Sequence, residues 1–310
     1  MLIAGPNLTI DRTSSIDEMR PGEVLRVGDV TVTPGGKGLN VARAARSLGA
    51  PAGLVAFVPG HTGRAAAELI TAEGIVLTPV PVGGEIRSTS VILEPGGRAT
   101  VLNEPGPALA EGDWEALEAA VGRALAGHRV LVCSGSLPPG SPDDGYARLA
   151  RGRFAVVDAG GAVLGAALAA GPAVVTPNLA EAEGLLHGRA DESVEASPDA
   201  RGHAEAAASE LVRAGARAAV VTAAAAGAAV AADGLVTWLE APRVSVVNPI
   251  GAGDVFTAAL AAGLEAGSDV LDAARRGVAA AAASVEVERA GALDRARMAE
   301  LLRATSTAPG

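Results

Sequence analysis

The chain has 310 residues, 49% of them hydrophobic and 19% charged, a composition that fits one or two globular domains and excludes disorder and long coiled coils. Only 2% are aromatic and the net charge is −10, so neither a stacking platform nor an electropositive groove for nucleic acid can be built. A single cysteine, Cys133, excludes an intrachain disulfide framework and a cysteine-rich zinc site. The opening MLIAGPNLTID lacks the basic segment of a secretory signal, which makes the cytosol the expected compartment.

In chain order, short apolar runs alternate with amphipathic segments. A strand at 2–5 is followed by a helix at 39–48, a strand at 53–57 and a helix at 62–73; then come a helix at 113–126 and strands at 130–133, 154–157 and 173–175, with helices between. That rhythm predicts a largely parallel sheet covered by helices on both faces. Two stretches break it, 11–33 and 85–103, where period-two strands run without an intervening helix; 89–93 faces 98–102 across a turn at Gly96-Gly97. These insertions predict a small β-sheet lid. The expected organisation is a core of 1–10, 34–84 and 104–310 with a lid of 11–33 and 85–103. The uncharged run 159–180 contains Pro172 and Pro177 and reads as helix, turn and strand, and 218–232 as two strands around a turn, so no membrane span is expected. The ending Ser306-Thr307-Ala308-Pro309-Gly310 reads as a frayed tail.

Rare residue types mark the candidate site. Of 25 basic residues only Lys37 is lysine, and it sits in Gly35-Gly36-Lys37-Gly38-Leu39-Asn40, where glycines bring backbone close to a ligand beside one ammonium. The five asparagines, Asn7, Asn40, Asn103, Asn178 and Asn248, all lie within two residues of Gly or Pro. Asparagine also favours turns for its own sake. The sharpest motif is Gly251-Ala252-Gly253-Asp254, followed by a helical run at 255–264 and preceded by a predicted strand at 244–247. Small residues opening a helix point free N–H groups outward with the positive end of the dipole behind them, which suits a phosphate. The dipole alone would favour a carboxylate there, but beside a bound phosphoryl group Asp254 is placed to take a proton from an attacking hydroxyl. The spacing is not that of the Walker loop, and Gly35 to Gly38 does not make the dinucleotide fingerprint. Cys133 ends an apolar strand and reads as a buried small hydrophobe; the four histidines show no ligand spacing.

Gly35-Gly36-Lys37-Gly38-Leu39-Asn40-Val41-Ala42-Arg43-Ala44 and Gly251-Ala252-Gly253-Asp254 resemble the two signatures of the phosphofructokinase B (ribokinase-like) carbohydrate kinases. Three further blocks, at 103–107, 134–140 and 177–181, resemble that family in the same order. With Asp11 after Pro6-Asn7, they resemble the subgroup of 1-phosphofructokinase, tagatose-6-phosphate kinase and the minor 6-phosphofructokinase. The resemblance implies a ribokinase-like three-layer α/β/α core with a small β-sheet lid, and ATP and Mg²⁺ as cofactors. It implies Asp254 as the base and the backbone of Gly251, Ala252 and Gly253 as an anion hole. Asp11, Gly36, Lys37, Asn40, Arg87 and Ser136 would bind the sugar phosphate, with Arg26 a competitor that reads equally as a solvated charge. Thr222 and Gly227 would join Gly251 and Gly253 at the nucleotide, and Asn178 and Glu181 would organise magnesium through waters. That pair, at i and i+3, also fits an ordinary helix capping box. Arg43 reads equally as an exposed helix residue.

The sequence departs from the family at three places. Asn248-Pro249-Ile250 replaces the usual threonine and acidic residue before the anion hole, which weakens the expectation of a K⁺ site there. Thr222-Ala223-Ala224-Ala225-Ala226-Gly227 puts alanine at 224, where a relative's glycine using φ > 0 would make it cost about 1 kcal/mol. Thr176 stands where a lysine usually precedes Pro-Asn. The expected activity is ATP-dependent phosphorylation of a ketohexose phosphate, fructose 1-phosphate first, tagatose 6-phosphate or fructose 6-phosphate as alternatives. The altered loops support a second reading, a nucleotide or sugar-phosphate sensor without turnover. The partners expected are these small molecules and a second copy of the chain, paired through the lid.

Overall fold

The computed structural model describes residues 1–95, 98–188 and 191–304; the turn Gly96-Gly97 and the tail 306–310 lie outside the described residues. Among the described residues thirteen strands form two sheets. They are β1 (Leu2–Ala4), β2 (Thr9–Ser15), β3 (Val30–Gly35), β4 (Gly53–Pro59), β5 (Val76–Val82), β6 (Arg87–Leu93), β7 (Ala99–Asn103), β8 (Val130–Ser134), β9 (Phe154–Asp158), β10 (Val174–Val175), β11 (Ala219–Ala223), β12 (Gly227–Ala232) and β13 (Leu235–Glu240). Ten α-helices accompany them among the described residues: α1 (Lys37–Leu48), α2 (Gly60–Ala72), α3 (Asp113–Ala124), α4 (Gly145–Ala150), α5 (Gly161–Leu168), α6 (Leu179–His187), α7 (Ala200–Arg213), α8 (Ala252–Glu265), α9 (Val270–Ser284) and α10 (Arg295–Ala304).

The large sheet has nine strands in the order β13-β12-β11-β10-β9-β8-β1-β4-β5, parallel except where β12 runs against its two neighbours. Alternation along each strand divides the core between two faces. Ile3, Leu54, Ala56, Val130, Val132, Val156 and Val220 pack under α1, α2, α8 and α9, whereas Leu2, Ala4, Val55, Leu131, Cys133, Val157 and Val221 pack under α3 to α7. The result is the expected three-layer ribokinase-like α/β/α arrangement. No helix among the described residues is long and apolar enough to cross a membrane. Burial pushes the Cys133 thiol up to about 12, which fits an inert core residue.

Two elements differ from the sequence reading. β5, a segment to which the sequence reading assigned no element, carries Pro79 and Pro81; it forms a strand because it is the sheet edge and needs donors toward β4 alone. Conversely, 244–247 is not a strand: β13 already occupies the opposite edge, and the Val247 and Asn248 amides donate instead to the Val285 carbonyl at 2.7 and 3.0 Å. Val246 and Val247 are accordingly about 60% exposed.

The four-stranded sheet has the order β3-β2-β6-β7 and draws its strands from the two segments that interrupt the α/β rhythm. β2 and β6 lie parallel, with Thr9 beside Arg87 and Asp11 beside Thr89; β3 and β7 run antiparallel at the edges. This register places Thr9, Asp11 and Arg87 in rows at the end of the sheet that joins the core. On the opposite face Val32, Arg12, Ser90 and Leu102 share one row and Val30, Ser14, Ile92 and Thr100 the next.

Candidate active site

The site lies at the carboxyl ends of the parallel strands, where open α/β sheets leave a crevice. A cavity of about 380 Å³ there is lined by Asn7, Gly36, Lys37, Arg87, Ser134, Ser136 and Glu181, among others. Gly36 caps α1 with φ 113°, a conformation for glycine, and accepts the Asn40 amide at 3.0 Å. The tight turn aims the first residue of α1, Lys37, into the crevice.

Lys37 is the centre of a charge cluster. Its Nζ lies 3.2 Å from Glu181 Oε1 and 3.6 Å from Asp158 Oδ1. Asp158 ends β9, is only 4% exposed and accepts from Ser134 Oγ at 3.1 Å. Asp158, followed by Glu181 and Asp254, holds the Lys37 ammonium above its usual range against the opposing effect of burial. Lys37 thus faces the floor of the site, and Arg87 is the guanidinium of the opposite wall.

Asp254 sits in the first turn of α8, 5% exposed, after Gly251 has turned the chain with φ 83°. The first intrahelical bond of α8 runs from the Val255 amide to the Gly251 carbonyl; before it the Ala252 amide donates to the Pro249 carbonyl at 3.4 Å, and the Gly253 and Asp254 amides have no backbone partner. Desolvation first, then the charge of Asp158, pushes the Asp254 carboxyl up to about 7. Asn40 Nδ2 donates to Asp254 Oδ2 at 2.8 Å across 214 residues of sequence. Asp254 therefore stands behind Asn40 and Lys37 rather than on the cavity wall itself.

Arg87 spans the junction between the sheets. Its Nη2 donates to the Asn7 carbonyl at 3.2 Å and its Nη1 to the Glu104 carbonyl at 3.4 Å, while its Nε is buried without a partner. Asn7 Nδ2 donates to Ser136 Oγ at 3.0 Å, and Asn7 Oδ1 and Asp11 Oδ1 are likewise buried and unpartnered. Burial pushes the Asp11 carboxyl up, opposed by hydrogen bonds from Thr89 and Thr9. Three orphaned polar atoms in one region imply groups that a polar ligand would satisfy.

Asn178 and Glu181 form a capping box at the start of α6, Glu181 N donating to Asn178 Oδ1 at 2.7 Å and Asn178 N to Glu181 Oε2 at 3.1 Å. One oxygen of each is thereby engaged, and Glu181 Oε1 faces Lys37. Among the described residues no group of three His, Cys, Asp or Glu forms a protein-only metal cage. Thr222 lies beside Asn178 through a parallel bridge. Gly227 has a packing reason of its own: with φ 140°, any Cβ would collide with the Leu239 carbonyl. Ala224 does adopt φ 43°, the left-handed conformation anticipated at this position.

Sequence reading missed Asp158, whose carboxyl faces Lys37, and gave Asn7, which lines the cavity, no role beyond its rarity; it also misjudged Arg43. Asp158 carried no motif, only its place at the end of an apolar strand. Arg43 is not an exposed helix residue; its side chain is 11% exposed and forks onto Glu73. Arg26 is exposed, in the segment between β2 and β3.

Comparison with known proteins follows this geometry closely. The profile of the pfkB family carbohydrate kinases matches residues 7–296. The chain belongs to that family. A 1-phosphofructokinase from Haloferax volcanii is 35% identical over 291 residues, 93% of this chain and 91% of its own. Phosphofructokinase-2 from Escherichia coli, solved in complex with potassium, superposes with a TM-score of 0.87 at 27% identity over 98% of both chains. Its tetrameric inhibited form superposes with a TM-score of 0.85, again at 27% identity and 98% coverage. The pfkB chain described here is a carbohydrate kinase with ATP as the family's phosphoryl donor.

Proposed function

We propose that this kinase transfers the γ-phosphoryl group of ATP to O6 of fructose 1-phosphate, with Asp254 as the base. The observation that carries the reading is Asp254 in the first turn of α8, where the Gly253 and Asp254 amides have no backbone partner, its carboxyl raised to about 7 and bonded by Asn40 Nδ2. At that value the carboxylate is present at neutral pH yet basic enough to accept the O6 proton as the O6–phosphorus bond forms and the bond to ADP breaks. The amides of Ala252 to Asp254 would stabilise charge on the transferred group. The similarity to a 1-phosphofructokinase favours fructose 1-phosphate over its isomers.

Arg87 and the orphaned atoms of Asn7 and Asp11 would hold the sugar phosphate, with Gly36, Asn40 and Ser136 beside them; Lys37 would face the transferred phosphate from the floor. Thr222, Gly227, Gly251 and Gly253 would border the nucleotide. Mg²⁺ would be held through waters and nucleotide phosphates facing Asn178, Glu181 and Asp158, and would neutralise phosphate charge. Turnover should not require K⁺: Asn248 Nδ2 donates to the Glu288 carbonyl at 2.7 Å and its Oδ1 accepts the Ile250 amide at 2.9 Å, so an amide already ties the loop that precedes Gly251.

The small sheet would act as a lid that excludes water and, through its outer face, would pair two copies of the chain. Val30, Val32 and Leu102 of that face are 39%, 43% and 59% exposed. Light scattering of ligand-free protein at micromolar concentration should give the mass of a dimer or larger; a monomer refutes the pairing. ATP hydrolysis without sugar should rise when Arg87 is replaced, if the lid excludes water.

The test of the function is ADP release with magnesium-ATP over fructose 1-phosphate, fructose 6-phosphate, tagatose 6-phosphate, fructose, ribose and adenosine. Preference for fructose 1-phosphate is expected. Preference for either of the other two phosphates keeps the mechanism and changes the substrate, and an unphosphorylated substrate removes the role given to Arg87. The strained Ala224 favours one other reading, a sensor that binds without turnover; thermal stabilisation by ligands with no ADP release would establish it.

A further inference from the structure

We infer that Arg43 is a positioning residue for phosphoryl transfer: its guanidinium, clamped by Glu73, fixes the amide of Asn40 so that the nitrogen, not the oxygen, faces Asp254. The inference rests on the assignment of Asp254 as base in the proposed function.

An asparagine amide is nearly symmetric in shape, so its neighbours decide which end faces which way. Arg43 has only donors. Its Nη1 donates to Asn40 Oδ1 at 3.2 Å, which leaves Nδ2 to donate to Asp254 Oδ2 at 2.8 Å. Reversal of the amide would set an oxygen against the carboxylate and a nitrogen against the guanidinium, two repulsive pairs in place of two bonds. Asn40 is therefore an oriented relay, and Asp254 receives a fixed donor on Oδ2 while Oδ1 takes no part in that bond.

Arg43 is itself held by three bonds. Nε and Nη2 donate to the two Glu73 oxygens at 2.7 Å each, and Nη2 also donates to the Pro34 carbonyl at 2.7 Å. Glu73, at the C-terminus of α2, is further paired with Arg289 at 2.9 Å. Burial pushes the Glu73 carboxyl up, but the two arginines hold it below its ordinary range. Backbone closes the remaining side: at Gly291 an added Cβ would stand 3.1 Å from the Asn40 carbonyl and 3.3 Å from Arg43 Cβ. Only a planar fork can satisfy Glu73, Pro34 and Asn40 together, so lysine is not equivalent here.

The experiment is a double-mutant cycle on the full-length enzyme with Arg43→Lys and Asn40→Ala, read as kcat, KM for both substrates and the pH dependence of kcat. Lysine keeps the charge opposite Glu73 and loses the reach to Asn40. The expected result is a fall in kcat of about 10- to 100-fold with KM for ATP within twofold. The acid limb should also move to higher pH, because the carboxylate has lost a donor; Lys37, Asp158 and Glu181, which also face Asp254, are unchanged in the variant. In the Asn40→Ala background the same substitution should have little further effect. Wild-type kcat in Arg43→Lys, or the same loss in both backgrounds, overturns the inference. Should Arg43→Lys not fold, Glu73→Gln loosens the clamp at its other end; a folded Glu73→Gln enzyme with wild-type kcat and pH profile is equally fatal. A wild-type enzyme inactive on every acceptor refutes the function instead, so the two failures are distinct.

Discussion

The two walls of the crevice are built on opposite physical plans. The floor is made of charges at strand ends and helix starts, the buried Asp158 and Asp254 with the more open Lys37 and Glu181, each within reach of a counter-charge or a fixed donor. The opposite wall belongs to a four-stranded sheet that is half-exposed on both faces, and there the polar atoms of Arg87, Asp11 and Asn7 are left partly unsatisfied. A floor organised before ligand arrives should govern kcat; a wall that waits for a ligand to complete its bonds should govern KM.

The largest effect expected is on the floor. Asp254→Asn should lower kcat by about 10²- to 10⁴-fold with KM for the sugar little changed; activity near wild type would remove the base and, with it, the contrast between the walls. The same variant should be more stable than wild type at pH 8. A carboxyl whose folded value of about 7 exceeds its unfolded value of 3.8 binds more protons when folded, so it loses stability as pH rises between those values, and asparagine avoids that loss. Thermal unfolding at pH 5 and pH 8 checks the sign.

On the facing wall, Arg87→Met should raise KM for the sugar phosphate by about 10- to 100-fold, the worth of hydrogen bonds to a charged group, and change kcat less. A fall confined to kcat would place Arg87 with the floor. Smaller still is the pH response: kcat/KM should rise with pH through a midpoint near 7 as Asp254 ionises, coupled to Asp158, and a midpoint near 4 would show that burial does not tune the base. The smallest effect concerns neither wall. Ala224→Gly relieves the φ of 43° and should add about 1 kcal/mol or less to unfolding stability in denaturant; a loss of stability would mean the neighbouring chain has adapted to alanine.

What could be read from the sequence was chemistry that lies within a few consecutive residues. Gly35 to Asn40, Gly251 to Asp254 and Pro177 to Glu181 each bind backbone conformation to residue type over one turn, and all three occur where their spacing implied, at the starts of α1, α8 and α6. The alternation of apolar runs with amphipathic segments likewise determined the layered core, because a strand buried on both faces has few residue types to choose from. Segment 244–247 shows the limit, since a short apolar run becomes a strand only where a sheet edge is open to it.

The sequence by itself determined the family, the layered α/β architecture and the identity of the residues that open α1, α6 and α8. Only the tertiary structure decided what surrounds them: that Asp158 crowds Lys37 and Asp254, that Arg43 is spent on Glu73 and Asn40 rather than on solvent, and that Lys37 lies with the floor. Those outcomes depend on burial and on pairings across 30 to 214 residues. Such distances in sequence carry no local pattern, and they acquire energy only when folding removes the water between the groups.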